Sequence, residues 1–183
     1  MDTLSPGALL IADPFLKDPN FARTVILLCE HQDKGSFGFV INKLFDQHLD
    51  ELIPEVLVTG IPVYTGGPVQ MDTIHFIHQQ PDIINGGMMI APGIYWGGHF
   101  DNVVESLNQG KINLDKIKFF IGYSGWSSGQ LEEEMREKSW ITSMATPDLV
   151  FDKGEQHIWQ QALKNMGSNF AIMANYPIDP SLN

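Results

Sequence analysis

The stretch Gly125-Trp126-Ser127-Ser128-Gly129 spells G-x-S-x-G. In that pattern small flanking residues let a strand turn sharply into a helix and lift a serine hydroxyl to the helix head. Asp148, Asp152 and His157 follow in the chain order that such hydrolases use. One reading is therefore a serine hydrolase with Ser127 as nucleophile, His157 as general base and an aspartate orienting the imidazole. The same letters also make a helix start. Ser127 and Gln130 stand at capping-box spacing, the hydroxyl accepting the Gln130 amide hydrogen and the Gln130 side chain reaching back to the Ser127 amide. Glu132, Glu133 and Glu134 fill the first turns, where the helix dipole favours carboxylates. Three carboxylates beside an oxyanion hole would oppose the charge that develops in acyl transfer. The structural reading is preferred, and no catalytic residue is assigned. No cation stands in the first turn either, so the turn is not a phosphate-cradling P-loop.

Metal chemistry finds little support. His75 and His78 sit three apart in TIHFIHQ, which reads as a strand, so their side chains point to opposite faces. His31, His48, His99 and His157 have no partners at ligand spacing, and neither a metal nor a cofactor is expected. The tryptophans divide by context. Trp140 and Trp159 fall where core packing explains them, whereas Trp96 and Trp126 lie on glycine-flanked bends and are better placed to line a pocket. Polar or aromatic residues in glycine-rich turns define the candidate ligand-binding surface: His31 and Asn42 beside an early hairpin, Gly66 and Gly67, and Tyr123 with Trp126.

These residues need elements to position them. Lys118–Tyr123 is an almost continuously apolar run and predicts a strand covered on both faces. Gly7–Ala12 and Phe21–Glu30 predict two more strands, and His31–Ser36 a hairpin loop leading into Phe37–Asn42. Asp46–Ile53 predicts a short helix, Ile61–Thr65 and Met71–Gln79 strands. Asp101 is placed to cap a helix that Gly110 stops. Ile141–Phe151 is ambiguous between strand and helix. Asp152 and Glu155 form a capping pair ahead of Ile158, Trp159, Ala162, Leu163 and Met166 on one helical face. Phe170–Ala174 predicts a last strand, and the tail with Pro177 and Pro180 is expected to fray. Strands dominate early and helices are interspersed late without regular alternation, which favours an α+β fold.

Composition narrows the partners. The 183 residues, 43% of them hydrophobic, suit one domain spanning 1–183 with a substantial core. The net charge of −11 repels nucleic acid at long range. The sole local cluster of cations is Lys111, Lys116 and Lys118. Cys29, the single cysteine, lies in an apolar run and reads as a core residue. The N-terminus lacks a signal-peptide pattern and no apolar run is long enough to span a membrane, so a cytoplasmic location is expected.

Several stretches together resemble the YqgE/AlgH family of bacterial proteins. Gly7–Ala12 with Pro14, Asn20-Phe21-Ala22-Arg23-Thr24-Val25, and Glu30-His31 through Gly35, Gly38 and Asn42 resemble its opening signature. Val63–Val69 resembles its middle motif, and Gly122–Trp126 with Gly129–Glu132 its most recognisable one. The resemblance implies a branched, partly barrel-like sheet surrounded by helices, a cytosolic bacterial protein, and a role in regulating transcription of exopolysaccharide genes. It supplies no catalytic set, and the family motif commonly has glycine where this chain has Ser127. The reading carried forward is a non-catalytic protein that binds a small-molecule ligand or a protein partner. The serine hydrolase is the alternative from another class, and direct DNA contact is disfavoured.

Overall fold

The computed structural model describes residues 4–178. Its framework is one ten-stranded, mostly antiparallel sheet that curls into a half-barrel. The strands are β1 (Ala8–Ala12), β2 (Val25–Gln32), β3 (Gly35–Val40), β4 (Leu44–His48), β5 (Pro62–Thr65), β6 (Val69–His78), β7 (Met88–Ala91), β8 (Ile94–Trp96), β9 (Ile117–Ser127) and β10 (Trp140–Met144). The helices are α1 (Leu49–Leu52), α2 (Phe100–Asn108), α3 (Gln130–Arg136), α4 (Pro147–Val150), α5 (Glu155–Asn165) and α6 (Ser168–Met173). The expected α+β class and branched sheet are what the chain adopts. Among the described residues no helix is long and apolar enough to cross a membrane.

β9 is the spine. Its N-terminal half takes β5 in parallel on one edge, its C-terminal end takes β3 antiparallel, and β6 runs antiparallel along it from Ile117 to Tyr123. Side chains alternate across the strand, so Phe120 joins one apolar cluster and Phe119 another. The inner cluster gathers Leu9, Leu27, Phe39, Tyr64, Ile77, Ile94 and Phe120 from strands all round the curl, and Trp159, Ile158 and Leu163 of α5 close it. On the outer face, α3 covers β1 to β3 through Leu131 against Leu10, Leu28 and Trp126, while α2 covers β6 and β9 through Val103 and Leu107.

Several expectations shift at their boundaries for identifiable reasons. The early hairpin has a tighter turn than expected, only Asp33 and Lys34 separating β2 from β3. Asp46–His48 is extended rather than helical, because β4 pairs with β5 and leaves a helix over Leu49–Leu52 alone. His99, not Asp101, caps α2. The caps of α5 divide their labour: Asp152 Oδ1 accepts the Gly154 N–H (2.7 Å), while Glu155 reaches the Leu44 N–H. The expected strand over Phe170–Ala174 is instead the helix α6. Phe170, Met173 and Ala174 meet the core at three- and four-residue spacing while Ile172 is 63% exposed, a helical period that a short apolar run does not disclose. Pro180 lies outside the described residues.

Candidate functional site

The branch in the sheet is made by two glycines. Where β5 ends, the Gly66 N–H donates to the Ile121 carbonyl on β9 (2.9 Å) and the Gly66 carbonyl accepts the Val40 N–H of β3 (2.8 Å) and the Ser124 hydroxyl (3.0 Å). A Cβ on Gly66 would lie 2.4 Å from the Gly122 carbonyl oxygen, and one on Gly67 2.3 Å from the Tyr123 carbonyl carbon. Side chains are thus excluded where three strands meet. Gly66 and Gly67 are the hinge of the fold, and they steer β9 so that Tyr123 emerges at the open end of the curl.

That open end is a cleft of about 590 Å³. Phe37, Trp96, Tyr123, Val69 and His75 form its apolar wall, and Glu30, Gln32 and Lys34 its polar rim. The rings meet edge to face, Phe37 lying 4.8 Å from Trp96 and 6.0 Å from Tyr123 between centroids, and His75 6.0 Å from Tyr123. All three aromatic residues pack on the inner core yet stay half-buried. The Thr73 hydroxyl donates to the Gln70 carbonyl (2.8 Å), so at its 3.0 Å contact with His75 the oxygen accepts and Nε2 carries the proton. Burial lowers the His75 pKa, which keeps the ring neutral at neutral pH and leaves Nδ1 as an acceptor. His78 faces elsewhere, stacked on Tyr95 with Nε2 3.0 Å from the Gly97 carbonyl. Among the described residues no three His, Cys, Asp or Glu side chains converge as a metal-binding set.

The six residues singled out by sequence do not share one surface. Tyr123 and Trp126 both border the cleft, but the Trp126 ring turns to the outer face, 6% exposed, packed under α3. One carboxylate oxygen of Glu134 accepts both the Trp126 (2.9 Å) and the Trp140 (2.7 Å) indole N–H groups. His31 pairs with Ser36 (Nδ1 to Oγ 2.7 Å) and lies 3.7 Å from Glu132 of α3. Asn42 is a buried clamp at a distance from the cleft, accepting the Val25 N–H (2.8 Å) and donating to the Arg23 (2.9 Å) and Glu155 (3.1 Å) carbonyls. Phe37, Val69 and His75 were not among the sequence candidates. Their signal is strand parity: Phe37 stands opposite Gly125, and Val69 opposite Tyr123, on the inner face.

The hydrolase constellation does not assemble. The Ser127 N–H (3.0 Å) and hydroxyl (3.2 Å) both donate to Gln130 Oε1, and Gly129, not Ser127, caps α3. The side-chain half of the expected capping box is present and the hydroxyl half is reversed. His157 Nδ1 does lie 3.2 Å from Asp152 Oδ2, but at the other end of the spine. The Asp152 carbonyl accepts from Lys118, nine residues back along β9 from Ser127, roughly 30 Å at the usual rise per strand residue.

Lys118 also departs from the sequence reading that counted it in the sole local cluster of cations. It is 3% exposed, donates to the Ile41 (3.0 Å) and Asp152 (2.7 Å) carbonyls, and sits 4.3 Å from the Tyr64 ring centroid. Burial pulls its pKa down to about 7.

Residues 9–171 match the AlgH-like protein family. A UPF0301 protein from Chlorobium limicola is 43% identical over 182 residues, covering all of this chain and 97% of the relative. One from Cytophaga hutchinsonii is 39% identical over 181 residues, covering 98% of this chain and all of the relative. Among solved structures, that of the AlgH protein from Pseudomonas aeruginosa shares the fold with a TM-score of 0.74 at 29% identity, covering 97% of this chain and 98% of that one. A Corynebacterium diphtheriae protein superimposes with a TM-score of 0.80 at 21% identity, covering 96% and 94% of the two chains. With family, relatives and fold in agreement over nearly its whole length, this chain belongs to the AlgH-like (UPF0301) family.

Proposed function

We propose that this protein is a non-catalytic binding protein whose ligand is a small, flat, largely apolar molecule seated in the mouth of the half-barrel. The observation that carries the proposal is the wall of Phe37, Trp96 and Tyr123, held edge to face on the inner core and left half-buried around about 590 Å³. Barrel mouths lined by aromatic residues with a few polar groups are where small molecules bind. Burying such a ligand would complete the contacts that these rings lack. The neutral His75 ring adds a hydrogen-bond acceptor, and Glu30, Gln32 and Lys34 supply the polar rim. An influence on transcription of exopolysaccharide genes, the role implied by the family resemblance, would pass through a partner protein because the net charge of −11 opposes direct promoter contact.

The test is a fluorescence titration with anilinonaphthalene sulfonate as probe, on the whole chain and on Trp96→Ala and Tyr123→Leu. Saturable binding that either substitution weakens by about tenfold, or about 1.4 kcal/mol, is the expected result. Equal affinity in all three proteins, each with native circular dichroism, places the probe elsewhere and ends the proposal.

A further inference from the structure

A second cleft, of about 350 Å³, opens on the other side of the molecule between the segment before β2, the start of α5 and the chain at Ile178. Arg23 and Lys43 line it, in a chain where acidic residues outnumber basic ones two to one. Arg23 is unusual in two ways. Its backbone sits in the left-handed region, φ 56°, which a non-glycine residue adopts only where the surroundings enforce it. Its half-buried guanidinium also has no carboxylate partner among the described residues. It lies 4.6 Å from the Trp159 ring centroid and donates one N–H to the Tyr176 carbonyl (2.5 Å). A guanidinium has five N–H donors in a fixed fork, so most of its capacity is unspent.

The neighbours account for their own polar groups without drawing on the Arg23 guanidinium. Asn42 spends its side chain on three backbone groups, and the Thr24 hydroxyl donates to the Phe21 carbonyl (2.8 Å). Glu155, the carboxylate in the cleft, points one oxygen at the Leu44 N–H (2.5 Å). Among the described residues the Lys43 ammonium makes one long contact, with the Pro19 carbonyl (3.5 Å). The first turn of the eleven-residue helix α5 adds the positive end of its dipole. Pro14, Leu16, Trp159 and Ile178 complete an apolar side. A guanidinium fork without a carboxylate partner among the described residues, a weakly engaged ammonium and an apolar wall are what a small organic anion requires.

We infer that this cleft binds a small molecule with an anionic head, phosphate or carboxylate, on an apolar body. The head pairs with the Arg23 fork and Lys43, and the body lies against Pro14, Leu16 and Ile178. The site is separate from the aromatic mouth and stands or falls independently of it.

The experiment is an NMR titration of the whole chain with phenyl phosphate, benzoate and inorganic phosphate in separate arms. Phenyl phosphate or benzoate should shift the Trp159 indole N–H and the Arg23, Thr24 and Lys43 amides, with a Kd on the order of 1 mM or tighter. Inorganic phosphate, lacking the apolar body, should bind more weakly. The tighter of the two organic arms identifies the head group. Lys43→Ala should weaken binding several-fold, and Arg23→Gln by about tenfold or more. Should Arg23→Gln fail to fold, the half-buried Lys43 decides alone. Absence of shifts, affinity unchanged by Lys43→Ala, or shifts confined to Trp96 and Tyr123 would each overturn the inference.

Discussion

Lys118 sets a pH dependence that a surface lysine would not. Desolvation lowers its pKa from the ordinary 10.5 to about 7, partly opposed by the Asp152 carboxylate and reinforced by Lys153. Between those values the unfolded chain binds the proton that the folded one has released, so stability rises with pH from about 7 towards the ordinary lysine range. Below about 7 both states are protonated and the cost of burying the charge is fully present. Two groups act the other way at the alkaline end. Burial raises the Tyr64 hydroxyl to about 12 and pushes the Cys29 thiol up as well, so the unfolded chain loses those protons first and stability then falls. Burial lowers His75 and His78 below the ordinary 6.5, so the gain they bring falls mostly below pH 7 and adds little above it. Urea unfolding from pH 7 to 9 should show a gain in the native protein. Lys118→Met removes the titrating group but leaves the Ile41 and Asp152 carbonyls without their donor, at a cost of about 1–3 kcal/mol. The variant should be less stable at pH 9 and flat across the interval. An equal rise in both proteins would assign the gain to another group.

At the scale of elements, the fork at Gly66 and Gly67 decides whether β3, β5 and β9 can share one spine. Gly67 has φ 154° and its missing Cβ would fall 2.3 Å from the Tyr123 carbonyl carbon and oxygen. Those neighbours are backbone and cannot swing aside. Gly67→Ala should therefore cost more than about 3 kcal/mol, visible as a lowered urea midpoint or as failure to fold, because strain and clash add. A midpoint within about 0.5 kcal/mol of the native protein would mean that the fork tolerates a side chain. The glycines were conspicuous in the sequence, and such a pair calls for unusual backbone angles or a close approach by another segment, but that the segment is β9 is a tertiary fact. The same limit governs the rest. β1, β2, β3 and α5 were legible from apolar runs and helical period, as was the buried spine at Phe119 and Phe120. β9 was read too short because Gly122 and Gly125 look like a turn, whereas Gly122, at φ 67°, stays within the strand. Asn42 and His31 were read as exposed binding residues because both are polar and sit beside a hairpin. Only the fold reveals that Asn42 ties three backbone segments and that His31 faces α3. Tyr123 was recognisable because an aromatic residue beside glycines is poor core material, yet Phe37, which completes its wall, looked like any strand phenylalanine.

Taken whole, the molecule has few cations, and its fold commits several of those. Lys118 is buried, Arg136 pairs with Glu133 and Lys153 with Asp115, while Arg23 lies over the Trp159 ring. The would-be basic cluster at Lys111, Lys116 and Lys118 thereby loses its most C-terminal member to the interior. Nucleic-acid affinity grows with the number of phosphates that lysine and arginine neutralise, and each contact contributes to the salt dependence. With a net charge of −11 and Lys118 withdrawn from the one local cluster of cations, the number of phosphates contacted should be close to zero. A mobility-shift titration against double-stranded DNA at about 50 mM salt should show no retarded species, and lowering the salt should not produce one. Retardation that strengthens steeply as salt falls would require a cationic surface that this charge balance does not predict, and would reopen direct DNA contact.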